Sequence, residues 1–305
     1  MIIRSDGDRL TIQSPAKINL FLDVLGRRED GFHDLETVIC AIDLQDTLEM
    51  RVVAGNEITL HLHGNGTGQR EPLPEGEDNI IVKALRLLAQ SSGVDQGMEV
   101  TLTKRIPSAA GLGGASSNAA AVLLGAARLW QRDWSLEQLA EVAAEVGSDV
   151  PFFLHGPAAI CRGRGEIVQP LQNRLRLHLV LVHPPAGLST ARVFAHCQPG
   201  RPVSSAALIE ALETGNRRAL LDELHNSLQR TAAGLEPWVG RLEEFLSGSG
   251  CLGFQMSGSG TSFFAICAHR QHARQVAARL RSQQPGQVDY ASTLDGKKWL
   301  SGWPC

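Results

Sequence analysis

Residues 107–118 read Pro107-Ser108-Ala109-Ala110-Gly111-Leu112-Gly113-Gly114-Ala115-Ser116-Ser117-Asn118. The glycines let the backbone turn tightly and approach a ligand with no Cβ in the way. Ser116, Ser117 and Asn118 are residue types that cap helices. A glycine loop that opens a helix offers backbone N–H groups and the positive end of the helix dipole, and together these make a phosphate site. The two hydroxyls add ligands for phosphate oxygens or for a magnesium ion. The alternative is a small-residue turn that lets a helix pack closely on a strand. Neither common phosphate fingerprint fits. A Walker loop needs Gly-Lys-Ser/Thr at its end, and no lysine lies between Lys104 and Lys297. A Rossmann turn needs a third glycine where Ser116 stands.

Other stretches carry candidate groups. In Ser14-Pro15-Ala16-Lys17-Ile18-Asn19-Leu20, a strand would put Lys17 and Asn19 on one face, offering a cation and an amide to one ligand. The competing reading is an edge-strand lysine facing water. Asp149 is the only acid between Glu145 and Glu166, in the apolar turn Gly147-Ser148-Asp149-Val150-Pro151. There it can accept a proton from a hydroxyl or organise magnesium, or it can simply cap the helix ahead of Pro151. In Asp30-Gly31-Phe32-His33 an aromatic and a histidine follow a turn and can stack on and hydrogen-bond to a base; the alternative is a loop with one packed Phe. His61 and His63 share a strand face without a third ligand nearby, so no metal site is assigned. A glycine loop for the triphosphate, a lysine for charge and an acid for the acceptor hydroxyl point to ATP-dependent phosphoryl transfer.

The elements that must position these groups follow from periodicity. Residues 10–25, 47–53, 57–63 and 98–106 read as strands, and 79–91, the stretch from the glycine loop to about Trp130, and 135–146 read as helices. Residues 64–77 read as an exposed loop. Strands at 158–171 and 176–182 follow, then helices at 204–213, 217–232 and 234–246. A strand–turn–strand with Gly258-Ser259-Gly260 at its turn comes next, then a basic helix at 270–281. Strands first and helices after argue for α+β, not an alternating doubly wound fold, and against a nicotinamide dehydrogenase. The expected division is 1–165 and 166–305, with the active site in the cleft between the two domains.

Composition bounds the rest. A hydrophobic content of 43% and a charged content of 20% place the chain among globular proteins. A net charge of −3 gives no reason to expect a nucleic-acid partner or an anionic membrane surface. Six scattered cysteines without a Cys-x-x-Cys pair suggest reduced thiols, and the first residues lack the pattern of a signal peptide, so a cytoplasmic location is expected.

Pro107–Asn118 resembles the phosphate motif of the GHMP kinases (galactokinase, homoserine, mevalonate and phosphomevalonate kinases and relatives), and Gly258-Ser259-Gly260-Thr261 resembles that family's C-terminal glycine motif. Residues 14–22, Asp30-Gly31-Phe32-His33-Asp34-Leu35 and residues 147–152 are similar to a member whose acceptor alcohol carries cytidine diphosphate. The resemblance covers about residues 11–268. It implies a two-domain kinase that uses ATP and Mg2+ on a small-molecule substrate, as a monomer or homodimer. Asp149 matches the catalytic aspartate and Lys17 its partnering lysine. Residues 107–118 would hold ATP, Asn19 would touch the substrate, and Phe32 and His33 match the cytidine pocket. Phe194, in Ser189-Thr190-Ala191-Arg192-Val193-Phe194, would stack on the other face of the base. Members often carry tyrosine at the position of Phe32, so a phenol hydrogen bond is lost here while stacking remains. The alternatives are the same chemistry on homoserine or mevalonate, which have no base to stack, and a non-catalytic nucleotide sensor, against which Lys17 and Asp149 argue. The tail beyond Asp289 runs past the usual family end and receives no function.

Overall fold

The structure, a computed structural model, describes residues 1–63, 76–296 and 299–300. The loop expected at 64–77 therefore lies largely outside the described residues; Gly76–Asp78 form one 3-10 turn. Strands β1 (Ile2–Asp6), β2 (Arg9–Arg27), β3 (His33–Val53), β4 (Ile58–His63), β5 (Gly97–Thr103), β6 (Ala158–Gly163) and β7 (Ile167–Pro170) build the first sheet. Its order is β1-β2-β3-β5-β4, with β6 also on β3 and β7 on β6.

The sheet forks along β3. Thr47–Val53 pair with β5, whereas Leu35–Cys40 pair with β6. The β2–β3 register shifts between Pro15 and Ala16, between Asn19 and Phe21, and between Val24 and Gly26. Such irregularities bend a ladder and re-aim its side chains, and the candidate residues Lys17 and Asn19 lie between the first two of them. The first half of β3 escaped the sequence reading because it does not alternate: Val38 through Ile42 are all buried, since both faces of the sheet are covered.

Helices α1 (Ile80–Ser92) and α2 (Gly114–Leu129) pack on this sheet, and α3 (Leu136–Val146) packs against both of them. Asn79 caps α1 by accepting from Ile81 N at 2.9 Å, and Ser135 with Gln138 forms a capping box on α3. α2 is buried over most of its length, with Ala, Gly and Leu against β2 and β3. Gly125 lies where a Cβ would meet the Met50 side chain, so small residues set how closely α2 approaches the sheet. A short helix, α4 (Phe152–His155), buries Phe152 and Phe153 edge-to-face at 5.0 Å.

The second half builds an antiparallel sheet from β8 (His178–His183), with β10 (Gly253–Met256), β11 (Phe263–Cys267) and β12 (Gln287–Ser292) in the order β10-β11-β8-β12. Between β8 and β10 lie α5 (Thr190–His196), α6 (Ala206–Thr214), α7 (Arg217–Asp222), β9 (His225–Asn226), α8 (Leu228–Leu235) and α9 (Pro237–Ser247); α10 (Arg270–Ser282) precedes β12. Val180, Val182, Phe263, Ala265, Val239, Leu242, Val276 and Leu280 share its core.

Three differences from the sequence reading have physical causes. The helix expected at 217–232 is interrupted, because His225 and Asn226 pair in parallel with Phe21 and Leu22 of the first sheet. The strand expected at 158–171 is a hairpin, turned at Gly163 and Gly165, which both have positive φ. β6 and β7 keep the first sheet running to Pro170. The tail is structural at its start. β12 completes the second sheet, Thr293 bridges to Ile42, and Thr293 Oγ1 accepts from Leu177 N at 2.9 Å.

Candidate active site

A cleft of about 940 Å³ opens between the glycine loop, the middle of β2 and β3, the Gly147–Val150 turn, α5 and the β10–β11 turn. That is the size range of small-ligand sites. Lys17, Asn19, Phe32, His33, Asp149 and Phe194 all line it, as do residues 107–116 and Asn118.

The glycine loop leaves β5 and enters α2 through Gly113, whose φ is 66°. Gly113 is the N-cap and no side chain caps the helix, so the first N–H groups of α2 lack an intrahelical acceptor and lie beside the cleft. The expected cap types Ser116, Ser117 and Asn118 instead sit inside the first turns. Ser117 does not line the cleft. It is fully buried, and its Oγ accepts from Ser14 Oγ at 2.7 Å, so it braces α2 under β2 and cannot reach a phosphate in this arrangement. Ser116 alone of the two hydroxyl residues lines the cleft.

Lys17 is 4% exposed. Its backbone N–H donates to Leu112 O at 2.9 Å, which ties β2 to the loop. Its Nζ donates to Asn19 Oδ1 at 2.7 Å and stands 3.3 Å from Asp149 Oδ2. Asn19 in turn donates to Thr37 Oγ1 at 2.8 Å, which fixes its amide orientation. The lysine is thus a central-strand residue held between an amide and a carboxylate, not an edge lysine in water. Asp149 keeps 37% of its side chain exposed to the cleft.

Phe32 is 50% exposed, and His33 packs on Phe194 with ring centroids 5.3 Å apart and a 34° tilt. Burial first, and the Arg27 charge second, hold the His33 pKa below the ordinary histidine range. The ring is therefore neutral near pH 7, with one donor and one acceptor nitrogen.

The second half closes on the loop. Ser257 Oγ donates to Gly111 O at 2.9 Å, and Asn226 Nδ2 donates to Met256 O and Gly258 O, both at 2.8 Å. A Cβ on Gly111, which has φ 73°, would fall on the Ser257 carbonyl. Ser259 Oγ shares a 2.8 Å hydrogen bond with Thr190 Oγ1 at the start of α5. Gly113 is equally confined, since a Cβ there would lie 2.7 Å from Lys17 Cγ and 3.0 Å from Lys17 Cε. Gly113→Val is therefore expected to weaken ATP and to lower kcat, each about tenfold or more, because a positive-φ penalty of roughly 1–2 kcal/mol is joined by displacement of Lys17. Ser116→Ala, which keeps every backbone donor, should be much milder. ATP titrations of both variants check this, and equal, negligible effects would favour a mere packing turn.

The sequence reading missed Lys104 and Asp46. Lys104 lines the cleft where β5 meets the loop. Its Nζ bonds Asp46, which also accepts from Arg105 N at 2.7 Å, Ile106 N at 2.9 Å and Asn118 Nδ2 at 3.0 Å. The signal available was a lysine directly after a strand, at the entry to a glycine loop. Among the described residues no helix is long and apolar enough to cross a membrane. Cys40, Cys161 and Cys267 are buried free thiols, and burial raises the Cys40 pKa to about 12.

A helix-capping glycine loop, a second glycine turn folded onto it and a lysine–aspartate pair between them define a kinase of the GHMP class. The chain matches the GHMP kinases N terminal domain over residues 79–157 and the GHMP kinases C terminal domain over residues 208–286. A 4-diphosphocytidyl-2-C-methyl-D-erythritol kinase of Pelotomaculum thermopropionicum is 41% identical over 275 residues, covering 89% of this chain and 94% of that protein. One of Exiguobacterium sibiricum is 37% identical with the same coverage. A crystal structure of a 4-(cytidine 5'-diphospho)-2C-methyl-D-erythritol kinase superposes with a TM-score of 0.77 at 33% identity, over 94% of this chain and 100% of that one. A homoserine kinase of Cytophaga hutchinsonii shares the fold alone, at a TM-score of 0.76 and 19% identity over 98% of each chain. The chain belongs to the 4-diphosphocytidyl-2-C-methyl-D-erythritol kinase family, and is an ATP-dependent kinase.

Proposed function

We propose that this kinase transfers the γ-phosphoryl group of ATP to the 2-hydroxyl of 4-diphosphocytidyl-2-C-methyl-D-erythritol, giving ADP and the 2-phosphate, a step of the non-mevalonate route to isoprenoid precursors. The observation that carries this reading is one cleft holding both the Lys17–Asp149 pair, 3.3 Å apart, and the aromatic site of Phe32, His33 and Phe194. A homoserine or mevalonate acceptor has no base that would use the aromatic site.

In the mechanism, the loop N–H groups and the N-terminus of α2 hold the nucleotide's phosphates. The Asp149 carboxylate accepts the hydrogen bond of the acceptor hydroxyl, orients it in line and is the nearest base for its proton. The hydroxyl oxygen bonds to the γ-phosphorus as the bond to the ADP oxygen breaks. Lys17 Nζ, fixed by Asn19, faces the charge on the transferring group. Magnesium fits the donors present, since the Ser116 hydroxyl and the Asp149 carboxylate are hard oxygens. When bound with ATP there, it would neutralise phosphate charge. Among the described residues no group of three or more His, Cys, Asp or Glu gathers for an all-protein cage, so the nucleotide's own phosphates would supply most of its ligands.

Phe32 and His33 should affect the acceptor and not ATP. Base stacking on an aromatic contributes ~1–3 kcal/mol, so Phe32→Ala is expected to raise the acceptor KM roughly tenfold or more. Phe32→Tyr keeps the ring and should be mild. His33→Ala leaves the base edge without a partner and should also weaken the acceptor. Steady-state kinetics with each substrate varied in turn decide it. A Phe32→Ala enzyme with a raised ATP KM and an unchanged acceptor KM would remove the cytidine pocket, and with it the preference for this acceptor.

A further inference from the structure

The β6–β7 turn places one cation between the two ends of the acceptor site. Gly163, with φ 69°, and Gly165, with φ 116°, flank Arg164 and turn the hairpin sharply into the cleft. The Arg164 backbone N–H donates to Glu166 Oε2 at 2.6 Å, and Arg164 Nε lies 3.5 Å from Glu166 Oε1. The same glutamate thus fixes both the turn and the root of the guanidinium. The guanidinium carbon stands 4.9 Å from the centroid of the Phe32 ring. On the other side, a Cβ built on Gly165 would be 3.8 Å from Asp149 Oδ1. From Phe32 to Asp149 the cleft wall therefore runs through Arg164 and Gly165.

We propose that Arg164 is a specificity residue that binds the diphosphate linker of the acceptor. This rests on the cytidine reading given above. An acceptor with its base on Phe32 and its reacting hydroxyl at Asp149 must lay the intervening group across Arg164. In a nucleoside-diphosphate alcohol that group carries two phosphates. An arginine presents a planar fork of N–H donors that matches phosphate oxygens, and its face stays free to lie on an aromatic ring. Lys17 cannot serve both ends, because its Nζ is held at Asn19 and Asp149. The arrangement also separates the two nucleotides by charge. The loop and α2 take the triphosphate of ATP, and the hairpin takes the diphosphate of the acceptor. A small-alcohol substrate without a diphosphate would bring no phosphate to the Arg164 fork.

The test uses the full-length protein and competitive inhibition against the acceptor by cytidine and by CDP. Arg164→Gln should raise the acceptor KM and the CDP inhibition constant by about 10- to 100-fold, the range expected for lost hydrogen bonds to a charged group. The cytidine inhibition constant should move less than threefold, with kcat and the ATP KM within threefold of the parent. Arg164→Lys retains the charge without the fork and should fall between. Equal losses for cytidine and CDP would mean that Arg164 only steadies Phe32, and would overturn the proposal while leaving the cytidine pocket intact. A raised ATP KM with an unchanged acceptor KM would also overturn it. A parent enzyme inhibited by neither cytidine nor CDP would remove the cytidine reading itself, and this is seen before any variant is made.

Discussion

Asp149→Asn is expected to lower kcat by ~10²–10⁴-fold, the usual loss when a positioned proton acceptor is removed, while ATP still binds. The amide has the shape of the carboxylate but cannot take the hydroxyl's proton. Lys17 Nζ loses its ionic partner at 3.3 Å but retains Asn19 Oδ1 at 2.7 Å, so the lysine stays in the cleft. The glycine loop is untouched, because Asp149 lies on the turn between α3 and α4, not on the loop. The fold should be nearly indifferent. Asp149 is more than a third exposed, and partly solvated pairs contribute little to stability. Single-turnover rates, ATP titration and a melting curve on one preparation separate these outcomes. A kcat within a few-fold of the parent would remove Asp149 from the chemistry. An unchanged kcat with weakened ATP would move it to the nucleotide side.

Much of the site was legible because its residues are local in sequence. The glycine loop announces itself by composition, and Lys17 and Asn19 share a face by the period of a strand; their side chains meet at 2.7 Å. Asp149 stood out as a lone acid in an apolar turn. What was not legible depends on distant partners. Ser117 looks like a phosphate ligand in its own stretch, yet Ser14, 103 residues earlier, takes its hydroxyl. Nothing near Asp46 shows that it will accept from Lys104, Arg105, Ile106 and Asn118. The first half of β3 reads as no strand because burial on both faces erases alternation. β9 hides in an apparent helix because only Phe21 and Leu22 supply its pairing. β12 lay past the region of family resemblance, and its pairing is with β8, more than a hundred residues earlier. Local propensity thus located residues that line the cleft, and long-range pairing decided which of their side chains stay open to it.

The largest structural effect is expected at Asp46, which is fully buried. One oxygen accepts from Arg105 N and Ile106 N, the residues that lead β5 into the glycine loop; the other accepts from Lys104 Nζ and Asn118 Nδ2. Asp46→Ala would strip a lysine, an amide and two backbone N–H groups of their acceptor at once. Breaking a buried pair by removing one partner costs about 3–5 kcal/mol, because the remaining charge is left without compensation. At roughly 2–4 °C per kcal/mol for domains of 150–250 residues, the melting point should fall on the order of 10 °C. Asp46→Asn should be no remedy, since its NH₂ would face the lysine and the Asn118 amide, both donors. Because Asp46 anchors the entry to the loop and the second turn of α2, ATP binding should weaken as well, even under conditions where the variant is fully folded. Adding Lys104→Met to Asp46→Ala removes the stranded cation and should recover part of the lost stability, though not the ATP affinity. Denaturant melts of the parent, both single variants and the double variant measure the coupling directly. An Asp46→Ala protein within about 1 kcal/mol of the parent would show that the carboxylate does not hold the loop, and a double variant no more stable than Asp46→Ala would show that the unpaired lysine is not the source of the loss.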